Sequence, residues 1–231
     1  MRVVFVHGAC VRDGAWWWHP TAALLERAGV ASTAPALPSC GEAGGVVGHG
    51  GAGLREDVAA VRQVLASGDG PTVLVGHSYG GIVAAEAAVG VPDVRHLLLI
   101  SSYLPEVGES LSSFGGEEPS PLLDVDPELG TFGVRPELAV EAFLQDADAD
   151  LQAQALPRLV RQSLQVTQQP VTASAAQALP TTYLVCAQDR GTPAERQREL
   201  ARRADRVVEV AAGHHPMLSQ PAAVADLVLG L

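Results

Sequence analysis

The stretch Thr72-Val73-Leu74-Val75-Gly76-His77-Ser78-Tyr79-Gly80-Gly81-Ile82-Val83-Ala84-Ala85 decides the fold. Residues 72–75 read as a buried strand, and the alanine-rich run 82–89 reads as a helix. Between them Gly76, Ser78 and Gly80 stand in the G-x-S-x-G pattern of a nucleophile elbow, where a serine rides a strained turn from strand to helix. The glycines have a steric reason. The chain doubles back so tightly that a side chain two positions either side of the serine would strike neighbouring backbone, and Gly81 eases the helix against the sheet. Three fixed positions in five are a weak signal alone; the strand before and the helix after supply the context the motif needs. The same turn sets Ser78 at a helix N-terminus, where free N–H groups and the helix dipole favour developing negative charge.

Outward from the elbow, apolar runs at 2–6, 30–34, 97–100, 181–186 and 207–210 read as short buried strands. Runs 15–28, 54–66, 196–204 and 222–229 carry helical spacing. Strands alternating with helices predict an α/β fold: a doubly wound, mostly parallel sheet with right-handed crossovers. Chemistry in such sheets collects at the carboxyl ends of the strands. His7-Gly8, Ser78, Asp189 and His214 all fall just past predicted strands. The Gly- and Pro-rich loop 35–53 is long enough to imply function. Residues 103–179 change character, with Gly, Pro and acidic residues first and short amphipathic helices around 138–143 and 156–164. We read this segment as a small helical lid inserted into a single domain spanning 1–231.

At 231 residues the chain can bury a substantial core, and 47% hydrophobic against 18% charged residues is a globular balance. The formal net charge is −11, and all fifteen cations are arginine. That balance disfavours nucleic acid and anionic membrane as partners. Cys10, Cys40 and Cys186 lack the spacing of a zinc or redox motif, so reduced thiols in a cytoplasmic protein are expected. The apolar opening run is too short for a signal peptide, and no stretch approaches a membrane span. A homodimer is allowed, although nothing in the sequence specifies one.

A serine hydroxyl is a poor nucleophile until a base takes its proton, so a histidine must lie nearby. His214 follows the last strand, in the serine, acid, histidine order that elbow proteins use, and His215 is its rival. His7, His19, His49, His77 and His96 adjoin elements with other duties. The base needs an acceptor on its second nitrogen, and Asp189 lies past a strand 25 residues upstream. Glu106, after the preceding strand, is the alternative acid. The oxyanion donors expected are the backbone N–H groups of Tyr79 and Ala9. Two consecutive histidines without an acidic cluster do not make a metal site.

These residues resemble the α/β hydrolases, in particular the branch holding plant methyl-salicylate-type esterases, plant hydroxynitrile lyases and bacterial esterase-like relatives. The resemblance runs along most of the chain: Val6-His7-Gly8-Ala9-Cys10 and Gly14-Ala15-Trp16-Trp17-Trp18-His19 look like the opening. Gly76 to Gly81 resembles the elbow, Val185 to Pro193 the acid loop, and Gly213-His214-His215-Pro216-Met217-Leu218 the histidine loop. It favours His214 over His215, because the branch's catalytic histidine stands four residues before the leucine. Lyase members carry a hydroxyl or amide side chain where Gly8 stands, and one group a lysine where His215 stands. Both are missing, so the resemblance implies ester hydrolysis through an acyl-enzyme, without metal or organic cofactor. Plant members place a tryptophan in the lid; here the tryptophans sit at 16–18, where helix-start packing accounts for them.

The expected function is therefore a serine carboxylesterase for a small apolar or aromatic ester, with Ser78, His214 and Asp189 as the triad. Gly8, Cys10, His77 and His215, with the lid-side aromatics Tyr103, Phe114, Phe132 and Phe143, are expected to contact this small-molecule substrate. A lyase, cyclase or decarboxylase using the same site, and a binding domain with an idle elbow, are the competing readings.

Overall fold

The computed structural model describes residues 1–115 and 120–231. In chain order the main elements are β1 (Arg2–Val6), α1 (Gly14–Arg27), β2 (Ala31–Thr33), α2 (Leu54–Ala66), β3 (Thr72–His77), α3 (Gly80–Ala87) and β4 (Val94–Ile100). Then follow β5 (Leu123–Asp126), β6 (Thr131–Val134), α4 (Pro136–Phe143), α5 (Ala149–Ala155), β7 (Gln162–Ser163) and α6 (Gln165–Gln168). The chain finishes with β8 (Thr181–Cys186), α7 (Ala194–Ala201), β9 (Arg206–Val210), α8 (Pro216–Ser219) and α9 (Pro221–Leu229). The first sheet has the order β2-β1-β3-β4-β8-β9, with every pairing parallel.

Strand side chains alternate between faces, and the inner strands β1, β3, β4 and β8 are buried on both, which is why they read as apolar runs, whereas the edge strands β2 and β9 are largely exposed. Val4, Val6, Leu74, Leu97, Leu99 and Val185 share one core with α2 and α3. Val3, Phe5, Val73, Val75, Leu98 and Leu184 share the other with α1 and α9. Trp18 is fully buried there and stacks on Phe5 with ring centroids 4.3 Å apart, as expected of packing at a helix start. The elbow strand extends to His77 and its helix begins at Gly80, so the turn is tighter than the residue patterning predicts. Among the described residues no helix is long and apolar enough to cross a membrane.

In the segment between β4 and β8 the helix expected around 138–143 forms as α4, but the rest departs from the expectation. It contains a second, antiparallel sheet of order β5-β6-β7. Leu123 and Val125 on β5 and Phe132 and Val134 on β6 alternate with polar residues or glycine, joined through Pro127 and Gly130, the latter at φ +67°. Alternating aspartates and a proline hide this hairpin in a segment that reads as loop. The helix expected around 156–164 is a single 3-10 turn, Leu156–Arg158, followed by extended chain and β7. Pro157 starts that turn, and from Leu159 the backbone pairs with the loop after β1 instead of coiling: Val11 bridges Leu159, Arg12 N–H donates to the Arg158 carbonyl at 3.0 Å, and Val160 N–H to the Cys10 carbonyl at 2.9 Å.

A buried polar chain ties this contact to the elbow. Cys10 N–H donates to Gln162 Oε1 (2.9 Å), Gln162 Nε2 donates to Ser39 Oγ (2.8 Å), and the Ser39 amide and hydroxyl both donate to Asp57. Tyr79 Oη closes it by donating to Asp57 Oδ2 at 2.8 Å. Gln162, Ser39 and Asp57 are all completely buried, so each depends on its partners instead of water. Replacing Gln162 by Leu orphans the Cys10 amide and one Ser39 contact, and should lower the unfolding free energy by about 1–3 kcal/mol. Urea unfolding followed by tryptophan fluorescence measures this; a midpoint equal to that of the parent would contradict the account.

Candidate active site

Ser78 sits between β3 and α3 at φ +51°, a backbone region that L side chains rarely adopt. Its surroundings enforce the turn. A β-carbon on Gly76 would lie 2.6 Å from the Gly81 Cα, and one on Gly80 would overlap the carbonyl oxygens of Val6 and His7. Ser78 N–H donates to the Ile100 carbonyl (3.2 Å), and Ser102 Oγ donates to the Ser78 carbonyl (2.6 Å). The backbone is thus held from β4, which leaves the side chain to face the cavity that Ser78 lines.

His214 and Asp189 follow β9 and β8. The His214 Nδ1 to Asp189 Oδ2 distance is 2.8 Å, and the pair is almost fully buried. A carboxylate accepts, so Nδ1 carries the proton and Nε2 remains as the basic nitrogen. Burial alone would raise the Asp189 pKa; the charge of His214 and hydrogen bonds from His214, Ser101 and Thr192 outweigh it and hold the carboxyl below its ordinary range. Gly191 and Thr192 amides each donate to Oδ1 at 2.8 Å, and Gln197 Nε2 to Oδ2 at 2.9 Å. Asp189 does not itself line the cavity but stands behind the histidine. Glu106 is exposed, with its amide donating to Glu109. Ser78 and His214 line the same cavity, and no hydrogen bond joins them among the described residues.

That cavity has a volume of about 530 Å³. Gly8, Ala9, Cys10, His77 and Tyr79 line it from the sheet side, and Tyr103, Phe114, Phe132 and Phe143 from the insertion; His215 adjoins His214. Every sequence-derived site residue except Asp189 therefore borders one space. Among the described residues none that line it is charged. Burial raises the Cys10 thiol to about 12, which keeps it protonated and removes it as a rival nucleophile.

Two residues escaped the sequence reading. Ser101, first after β4, donates to Asp189 Oδ2 and lies 3.2 Å from His214 Nδ1, bridging acid and base at φ +42°. Its position just past a strand was the available signal, overshadowed by Glu106 five residues on. Trp17 lines the cavity as well as the core; three consecutive tryptophans at a helix start give no hint which one turns inward.

The insertion also holds the loops that carry His214 and Asp189. His215 Nδ1–H donates to the Phe143 carbonyl (2.9 Å), Gln145 Nε2 to the Gln188 carbonyl (2.8 Å), and Gly213 N–H to Asp146 Oδ2 (2.6 Å). Behind the elbow, His77 Nε2–H donates to the His214 carbonyl at 2.8 Å.

Burial, reinforced by neighbouring histidines, pulls His77 well below its ordinary pKa and His215 down to about 3. Both rings are neutral when folded, whereas in the unfolded chain they titrate near 6.5. Below that pH the unfolded state binds protons that the folded state does not, so stability falls as pH falls. The slope is up to about 1.4 kcal/mol per pH unit for each ring. For His215 the window runs from about 6.5 down to about 3. Urea unfolding between pH 7 and 4.5 should show a shallower decline in His215→Gln than in the parent; parallel declines would contradict the assignment.

The sequence pattern of the alpha/beta hydrolase family matches residues 3–227. Methylesterase 9 of Arabidopsis thaliana is 28% identical over 262 residues, covering 98% of this chain and 96% of that protein. Polyneuridine aldehyde esterase of Rauvolfia serpentina is 28% identical over 254 residues, covering 99% and 94%. Among solved structures, a pyrethroid hydrolase from Sphingobium faniae JZ-2 superposes with a TM-score of 0.87 at 24% identity, covering 100% of this chain and 96% of that one, a likeness of fold. The match runs from the first strand into the last helix, and the chain belongs to the α/β hydrolase family.

Proposed function

We propose that this protein is a carboxylic ester hydrolase that cleaves small, uncharged apolar or aromatic esters through an acyl-enzyme on Ser78. The observation that carries the proposal is the buried Asp189–His214 pair, whose histidine shares the wall of an uncharged, largely apolar cavity with a serine held at positive φ. Two relatives that cover nearly the whole chain bear esterase names, which supports ester cleavage.

His214 Nε2 takes the proton of Ser78 Oγ as the hydroxyl attacks the ester carbonyl. The oxyanion that forms is held by the N–H groups of Tyr79 and Ala9, a pair of donors whose individual loss costs other hydrolases about 2.7–4 kcal/mol of barrier. His214 then gives the proton to the departing alkoxide. Water, activated by the same ring, attacks the acyl-serine and regenerates Ser78 with release of the acid. Asp189 keeps the proton on Nδ1 throughout and stabilises the imidazolium without being protonated. Ser101 positions this pair. Three free, buried cysteines support a cytoplasmic setting.

The cavity falls within the roughly 300–1,000 Å³ typical of small-molecule sites, and a charged acyl group entering it would lose hydration without a counter-charge. Kinetics on p-nitrophenyl esters of increasing chain length test the reading. Ser78→Ala should lose about 10⁴-fold or more in kcat, and Asp189→Asn roughly 10²- to 10⁴-fold, while Glu106→Gln stays within about twofold, as surface changes usually do. Full turnover by Ser78→Ala, or near-parental turnover by Asp189→Asn, would defeat the mechanism.

A further inference from the structure

His215 carries a feature that the triad does not use. The residue is 7% exposed and lines the cavity next to His214. Nδ1 faces the Phe143 carbonyl at 2.9 Å, and because a carbonyl only accepts, the proton sits on Nδ1. Nε2 is then a bare lone pair, and it has no partner among the described residues.

None of the rings packed directly on it is free to satisfy it. The rings packed around His215 are Trp17, His77 and His214, with centroids 4.8, 4.7 and 5.0 Å away. Trp17 Nε1–H is given to the Arg12 carbonyl at 3.0 Å, His77 Nε2–H to the His214 carbonyl, and His214 Nδ1–H to Asp189. Each N–H in the cluster is committed elsewhere. The ring's pKa of about 3 keeps it from acting as a second base near neutral pH. What remains is a fixed neutral acceptor in an apolar wall, the kind of group whose pairing with a ligand donor gives strong discrimination.

We propose that His215 is a specificity-determining residue whose Nε2 accepts a hydrogen bond from a neutral hydroxyl that the ester carries within a few bonds of its reacting carbonyl. The preferred substrates are then hydroxylated esters, and a carboxylate at that place is rejected because it brings only acceptors. The two histidine rings adjoin, with centroids 5.0 Å apart, so a donor within a few bonds of the carbonyl is the one placed to meet Nε2 while that carbonyl is at Ser78. The hydroxyl can belong to the acyl or the alcohol portion, since both carry the same donor chemistry.

This inference rests on the ester-hydrolase reading, so its test has one arm with chemistry and one without. In the first arm, kcat/KM is measured for methyl 2-hydroxyhexanoate, methyl 3-hydroxyhexanoate and 2-hydroxyethyl hexanoate. Each is compared with methyl hexanoate and with its O-methyl ether, in the parent and in His215→Leu and His215→Gln. The parent should favour at least one hydroxy ester by about tenfold or more, as expected for one buried hydrogen bond. Whichever hydroxy ester wins identifies the side of the ester that is read. The ratio should collapse toward one in His215→Leu, whatever happens to the absolute rates, and recover in part in His215→Gln, whose amide restores an acceptor. A ratio unchanged by His215→Leu, or no preference in the parent, overturns the proposal. In the second arm, calorimetry on Ser78→Ala compares 3-hydroxy-2-heptanone and 4-hydroxy-2-heptanone with 2-heptanone. Tighter binding of a hydroxyketone that disappears on adding His215→Leu supports the acceptor even if Ser78 proves not to be the nucleophile; equal binding overturns an acyl-side hydroxyl, and with no preference for 2-hydroxyethyl hexanoate in the first arm it overturns the proposal.

Discussion

Three missing β-carbons make the turn at Ser78 possible. Gly76, Gly80 and Gly81 each face an atom that any side chain would overlap: the facing glycine's Cα, the carbonyls of Val6 and His7, and the Ser102 hydroxyl. Because strand, turn and helix pack at that distance, Ser78 is driven to positive φ, and its side chain leaves the sheet at the carboxyl ends of β1, β3, β4 and β8. The rest of the site is arranged around that point. β1 delivers Ala9, β4 delivers Ser101, β8 leads to Asp189 and β9 to His214, each within a few residues of its strand end. The parallel register of one sheet sets how close these loops come.

The insertion between β4 and β8 contributes more than a cover. Along one side, residues 158–162 pair with the loop after β1, and Gln162 carries the contact through Ser39 and Asp57 to Tyr79. Along the other, Phe143, Gln145 and Asp146 hold the loops bearing His214 and Asp189. Both expected oxyanion donors and both members of the acid–base pair are thereby braced by the same segment that walls the cavity. Changes made to the insertion will accordingly reach the arrangement of Ser78, His214 and Asp189 as well.

The sheet was readable because its inner strands are buried on both faces, so that runs such as Val3-Val4-Phe5-Val6 and Tyr183-Leu184-Val185-Cys186 stand out without periodicity analysis. The triad candidates were readable for a related reason: in a parallel sheet, a polar residue just past a strand stands on the rim where ligands gather. The β5–β6 hairpin was not readable, since its polar positions are aspartates and its turn begins with proline, a composition shared with irregular loops. Ser101 shows the limit differently. A serine past a strand is unremarkable until the fold brings Asp189 and His214 to it, 88 and 113 residues away in the chain. Contacts of that range are tertiary facts, with no local signature. The same holds for His215, whose tautomer is fixed by a carbonyl 72 residues upstream.

The central claim is that the Ser78 hydroxyl acts as a nucleophile activated by His214. Stoichiometric treatment with a fluorophosphonate, followed by peptide mapping and a parallel esterase assay, tests it most directly. The account predicts one phosphonyl adduct per chain, on the peptide containing Ser78, formed at the rate at which esterase activity disappears and absent in Ser78→Ala. A folded protein that hydrolyses esters yet stays unlabelled, or is labelled at another residue as activity is lost, would contradict it.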